Sequence, residues 1–316
     1  MNHEGASTTN SSKSQLKIAL LQLHTAVFLA GFTAVLGKLI TMPEISLVWW
    51  RMVFTILILL IFIYFNKSSS SRALNFKQKS KAVGIGFIIG IHWLFFFGSV
   101  KYGNISIALV CLSAASFFSS LLEPLILKTR FSLIELCLGL LSLYGISLIF
   151  DFTDSHRIAV VLGLLAALFG ALYGILNKKY TYSYEPVPLT YLEMIGAFIL
   201  CNLALPVYYN IDGGLTFLPK GMDWLWIIIL AGLCTVWALI LQIKSLKHVS
   251  SFTLMLTYNL EPVYGIIMAL LFFNEAETFK DTYLLGTGVI IFTVLFQVVR
   301  IKHQQKKKLR LQEQVI

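Results

Sequence analysis

The stretch Leu254-Met255-Leu256-Thr257-Tyr258-Asn259-Leu260-Glu261-Pro262-Val263-Tyr264-Gly265 lies inside an apolar run from about Ser250 to Phe273. That run is long enough to cross a bilayer, whose ~30 Å hydrocarbon core takes about 20 apolar residues of helix. Near its middle stands a carboxylate followed by a proline. A charge at mid-membrane costs roughly a few kcal/mol, so it faces a cavity or a partner rather than lipid. The proline removes a backbone donor at the same point and loosens the helix. Two local rules are broken together, and this makes 254–265 the first place to look for function.

The rest of the chain supports a membrane reading of that run. Of its 316 residues, 57% are hydrophobic and 13% charged, with a mean hydropathy of +0.79. Soluble domains carry about a quarter charged residues, so an all-α, polytopic membrane protein is the class that fits. Apolar runs place ten spans at about 17–40, 45–65, 82–100, 104–127, 132–150, 158–177, 187–209, 223–244, 250–273 and 282–300. The polar residues 1–16 are expected to form a disordered cytoplasmic tail, and 301–316 a basic one. With the N-terminus inside, 19 of the 25 Lys and Arg fall in cytoplasmic segments; Lys101, Arg157, Lys220 and Lys280 lie outside, and Lys38 and Arg51 lie within spans. This asymmetry is what the positive-inside rule requires. It also takes the net charge of +10 away from nucleic acid and toward the cytoplasmic leaflet.

The chain repeats itself. Residues 99–106 (SVKYGNIS) match 245–252 (SLKHVSSF) at an offset of 146, and the Gly/Ala-rich first span has a counterpart in the sixth. Five spans per half reverses orientation, so Lys101 falls outside and its mate Lys247 inside. The expected architecture is therefore two inverted five-helix repeats, 17–150 and 158–300, a plan used for alternating access.

Polar side chains within the spans mark candidate binding positions. Thr253, Thr257, Glu261 and Gly265 recur at i, i+4 and so share a helix face, flanked by Tyr258, Asn259 and Tyr264. Glu261 either binds a proton or a substrate ammonium, or it locks the two halves together through hydrogen bonds. Ser113, Ser116, Ser120 and Glu123 form a second stripe, although membrane serines often bond the i−4 carbonyl and Glu123 is only about 7 Å along the axis from Lys128. Arg51 stays charged and needs a carboxylate, a carbonyl or a route to the surface; an ion pair or snorkelling is favoured over substrate contact. His92-Trp93 and His24 lie deep enough to line a cavity or to bond a neighbouring helix. Tyr173, Asn177, Tyr191, Glu193, Trp237 and Gln242 are weaker candidates. Glu135 and Glu193 are placed near cytoplasmic ends and need no functional explanation. Cys111, Cys137, Cys201 and Cys234 sit in apolar runs without C-x-x-C spacing, and read as small packing residues. No Walker A, H-E-x-x-H, G-x-S-x-G or paired metal spacing occurs, so no catalytic residue, cofactor or metal is expected.

Read together, residues 31–38 (GFTAVLGK), Trp49-Trp50-Arg51, 92–101 (HWLFFFGSVK), 259–265 (NLEPVYG) and Glu275 resemble the EamA-like branch of the drug/metabolite transporter superfamily. The resemblance spans about 17 to 300. Span four departs from the family pattern, with Ala114-Ala115-Ser116 where a proline is often found. The resemblance implies a secondary transporter, often an exporter of amino acids or related metabolites, with a cavity lined by spans 1, 3, 4, 6, 8 and 9. The expected partners are a small-molecule substrate and the lipid bilayer, with homodimerisation left open. The expected location is a bacterial inner membrane with both termini cytoplasmic. Alternatives are uptake or exchange of a sugar- or phosphate-bearing metabolite, which would need more central cations than Arg51, and a membrane-embedded enzyme or scaffold.

Overall fold

The computed structural model describes residues 2–65, 74–103, 105–148, 157–180, 185–212, 216–261, 263–265, 267–268 and 282–313. Among these the regular structure is helical, with no strand. In chain order the helices are α1 (Asn2–Leu39), α2 (Glu44–Phe65), α3 (Phe76–Tyr102), α4 (Ile105–Leu112), α5 (Ala114–Leu127), α6 (Leu133–Ser147), α7 (Arg157–Tyr180) and α8 (Pro186–Asp212). Then come α9 (Asp223–Ala231), a π-helical segment (Gly232–Trp237), α10 (Ala238–Leu246), α11 (Ser251–Tyr258) and α12 (Tyr283–Glu313).

Among the described residues seven helices are long and apolar enough to cross a membrane, and Leu133–Gly145 is a shorter apolar helix. The expected ninth span runs over 262, 266 and 269–273, outside the described residues, as do Pro262 and Glu275. Helix α1 starts at Asn2 and α12 ends at Glu313, beyond the expected spans at 17 and 300. Helical hydrogen bonding is internal to the segment and does not stop where hydrocarbon gives way to water; the apolar part of α1 begins at Ser14.

The bundle is apolar outside, and its largely apolar interior also holds polar side chains. Leu21, Phe62, Leu203, Val207, Leu295 and Val299 are exposed, whereas Ser116, Asn177, Glu193, Thr235, Thr257 and Glu261 are buried. Large apolar side chains on the outer surface suit lipid as the surrounding solvent, with the polar groups kept inside. Helix α3 is central and packs against α7 and α8, while α1 packs against α10 and α2 against α8. Small residues permit the closest crossings. A Cβ added to Gly86 would meet the Glu193 carbonyl oxygen at 2.0 Å, and one added to Gly196 would meet the Val83 carbonyl oxygen at 2.0 Å.

Helix ends are closed by named partners, as buried helix termini require. Asn75 and Gln78 form a capping box at the start of α3, and the Lys101 ammonium donates to the Ile40 carbonyl at 2.8 Å. At the end of α10 the Lys178 ammonium donates to the carbonyls of Leu246 and Val249. The Thr41 amide and hydroxyl donate to the Asp223 carboxylate at 3.0 and 2.8 Å.

Candidate functional site

Near the centre of the bundle lies a cavity with about 100 Å³ open to the centre of a water-sized sphere. A single water needs roughly 10–15 Å³ by this measure, so the space takes several waters or a small solute. Helix α1 contributes Ala30 and Thr33, and α3 contributes Ile89, His92, Trp93 and Phe96. The α4–α5 junction gives Leu109 to Ala115, α7 gives Gly170 and Tyr173, the π segment and α10 give Cys234 to Gln242, and α11 gives Met255 and Tyr258. Arg51 and Glu261 complete the wall.

Arg51 is 2% exposed, so it does not snorkel. It has no carboxylate partner among the described residues either, which corrects the favoured sequence reading. Its Nε donates to the Thr235 hydroxyl at 2.7 Å, and the guanidinium carbon lies 4.1 Å from the Trp93 ring centroid, a cation–π contact. Its Nη1 is buried with no hydrogen-bond partner among the described residues. The π segment sets this geometry. The Thr235 hydroxyl donates to the Leu230 carbonyl five residues back at 2.7 Å while accepting from Arg51, and such wide turns recur at functional sites.

Glu261 follows a break in the ninth span. The Asn259 and Leu260 amides donate to Leu256 and Thr257, each three residues back, at 3.2 and 3.0 Å. The tightened turn ends α11, consistent with a proline at 262 that cannot donate to the carbonyl of Tyr258. It also separates the expected i, i+4 stripe, a second correction. Thr253 accepts from Gln297 Nε2 at 3.1 Å, and Thr257 donates to the Thr253 carbonyl at 2.8 Å; neither lines the cavity, whereas Tyr258 and Glu261 do. Tyr258 donates to Gln242 Oε1 at 2.8 Å. The Glu261 carboxylate is 4% exposed and makes no hydrogen bond or ion pair with another described residue.

His92 lines the cavity with Nδ1 at 2.8 Å from the Ala166 carbonyl. A carbonyl only accepts, so Nδ1 carries the proton and Nε2 is left as the acceptor. Gly170 makes room for the ring: a Cβ there would stand 3.0 Å from Nδ1. The remaining candidates lie elsewhere. Asn259 donates to Ser116 Oγ at 3.1 Å, joining the fourth and ninth spans away from the cavity. Tyr264 packs on Phe28, ring centroids 5.7 Å apart. His24 is half-buried outside the cavity. Glu123 accepts from the Ser251 and Phe252 amides at 3.3 and 2.7 Å, so its charge caps the N-terminus of α11.

Several site residues were missed or underrated by the sequence reading. Thr235 and Cys234 sit beside Arg51 through a π segment that composition does not announce. Glu193 was read as a weak candidate near a cytoplasmic end, yet it is 0% exposed and accepts from the Tyr173 hydroxyl at 2.9 Å. The available signal was Gly196 beside it, since a glycine three residues on marks a close helix crossing.

Buried polar groups around a central cavity in an apolar-sided bundle fit a multi-pass membrane protein of transporter type. The chain belongs to the EamA-like transporter family, whose sequence model matches twice, at residues 17–151 and 157–299. It therefore has the family's two-repeat architecture. Among solved structures, a crystal structure of a protein of 15% sequence identity superposes with TM-score 0.68 over 90% of this chain and 98% of that one; at that identity the likeness concerns the fold. No curated protein matches the chain.

Proposed function

We propose that this protein is a secondary active transporter of the drug/metabolite type that exports a small metabolite carrying both an amino and a carboxylate group, such as an amino acid. The observation that carries the reading is a pair of opposite charges, Arg51 and Glu261, on one cavity, neither with a counter-ion among the described residues. The Arg51 guanidinium has a free donor for a carboxylate, and Glu261 has a free carboxylate for an ammonium. Aliphatic and aromatic walls between them suit an apolar side chain. Burying either charge without a partner is costly, and a zwitterion relieves both at once. An organic phosphate is less suited, since Arg51 is the one cation lining the cavity among the described residues.

In this reading ten spans form two inverted halves that rock about the cavity, with both termini cytoplasmic. The lysine ties support it: Lys101 joins the ends of the first and third spans of one half, and Lys178 joins the ends of the corresponding spans of the other.

The test is flux into proteoliposomes across a panel of amino acids, their decarboxylated amines and organic phosphates, with and without a pH gradient. Amino-acid flux that is lost in Glu261→Gln, with the variant still folded in the membrane, is expected. Flux of organic phosphates alone, or of no solute, overturns the reading.

A further inference from the structure

Behind the cavity wall lies a second polar site that the substrate reading does not use. Glu193 on α8 is 0% exposed and Asn177 on α7 is also 0% exposed. Tyr173 has its ring on the cavity and its hydroxyl on Glu193 Oε2 at 2.9 Å. Glu193 Oε1 and both amide atoms of Asn177 are buried without a hydrogen-bond partner among the described residues. The Asn177 amide lies beside both Glu193 and Tyr173, outside hydrogen-bond geometry with either.

Helices α2, α3 and α10 pack on α8, with α7 reaching it through Tyr173, and among the described residues they bring no countercharge to Glu193. Arg51 is turned to Thr235 and Trp93, and His92 is held by Ala166. Lys81 lies over the Tyr180 ring, and Lys178 closes the end of α10. Lys77, Lys79 and Lys244 are exposed. Tyr173 is the titratable neighbour in contact, and Tyr258 acts on it from across the cavity.

A buried carboxylate with one hydrogen bond and no cation is costly as an anion, but as an acid it gains a donor. A proton on Oε1 faces an amide whose oxygen can accept it. When the proton leaves, the amide turned by 180° offers its NH₂ to the carboxylate instead. Asn177 can thus serve both protonation states, while Tyr173 connects the pair to the substrate cavity.

We propose that Glu193, screened from the cavity by Tyr173 and served by Asn177, takes up and releases the proton that couples transport, separately from Glu261 at the substrate. The coupling role rests on the transport reading above; proton binding at Glu193 does not. One proton is bound to Oε1 from one side of the membrane and released, without other chemistry, to the other.

The first measurement is a pH titration of the protonated-carboxyl infrared band of the purified full chain. The titrating band is expected to persist in Glu261→Gln and to vanish in Glu193→Gln. The second is flux in proteoliposomes of whichever amino acid the panel identifies. Glu193→Gln is expected to lose accumulation driven by a pH gradient, down to protein-free vesicles, while equilibrium counterflow of the same solute persists. Tyr173→Phe, which removes only the hydroxyl, is expected to move the pH at which the band appears, and it carries the test if Glu193→Gln fails to fold. A Glu193→Gln protein that keeps the band or gradient-driven accumulation overturns the proposal. So does a folded Glu193→Gln protein that loses counterflow along with accumulation. If the wild-type chain moves no solute, the transport reading fails, and the band alone decides whether Glu193 binds a proton.

Discussion

Arg51 is buried against an aromatic ring and a hydroxyl, and one of its donors is unspent. In Arg51→Met the expected loss is confined to solutes with a carboxylate. A hydrogen bond to a charged group contributes about 1.5–3 kcal/mol, so their half-saturation concentration should rise by roughly tenfold or more. Transport of the matching decarboxylated amine should be unchanged. The melting temperature should hold or rise, because an unpaired buried charge replaced by an apolar side chain is often neutral or stabilising. Arg51 and Glu261 were both legible in the sequence, since an ionisable residue in an apolar run stands out at once. Their lack of partners was not, because pairing depends on which helix faces which. Glu193 was hidden for a related reason: its distance from the end of α8 suggested an interface, but the crossing at Gly86 and Gly196 buries it.

Element boundaries carry their own consequences. Glu123 reads as part of a cavity stripe when span four is laid out as a helix, and folding sends it to the start of α11 instead. Glu123→Ala removes a charged cap, so a stability loss of about 0.5–2 kcal/mol is expected in thermal unfolding, with substrate half-saturation unaltered; a change in selectivity would return Glu123 to the site. At the α3–α8 crossing, Gly86→Ala places a carbon 2.0 Å from the Glu193 carbonyl oxygen. Overpacking costs about 1–3 kcal/mol, and backbone against backbone has little room to yield. Loss of monodisperse protein in detergent is the expected result, and normal yield would show that the crossing is looser. A glycine can be seen in the sequence, but what it packs against cannot, since a small residue does not say what approaches it.

At the scale of the molecule, hydropathy and basic residues alone set out the two halves, and the family match at 17–151 and 157–299 follows nearly the same limits. The halves are unlike where it matters. Counting from Glu44 and Pro186, Arg51 and Glu193 are each the eighth residue of the second helix in their half: a buried cation in one, a buried acid in the other. The proposed inverted arrangement puts these positions on opposite sides of the membrane. Cysteine scanning checks this directly. A maleimide that does not cross the bilayer should label Lys220→Cys only from outside and Lys128→Cys only from the cytoplasm. The reverse pattern would invert the proposed topology.

The π segment at 232–237 bears on how this chain tolerates changes in length. A turn that closes five residues back holds one residue more than an α-helical turn, yet the helices on either side keep their faces. Elsewhere in the eighth span, loss of one residue rotates everything beyond it by about 100° and carries Leu239 and Gln242 off the cavity. Removal of Leu233, whose side chain is 42% exposed, should instead convert the segment to regular α-helix and leave α9 and α10 facing as before. A folded protein is expected from that deletion, and an unfolded one from deletion of Leu239. The extra residue is thus a spare in the backbone count, retained where it lets Thr235 meet Arg51.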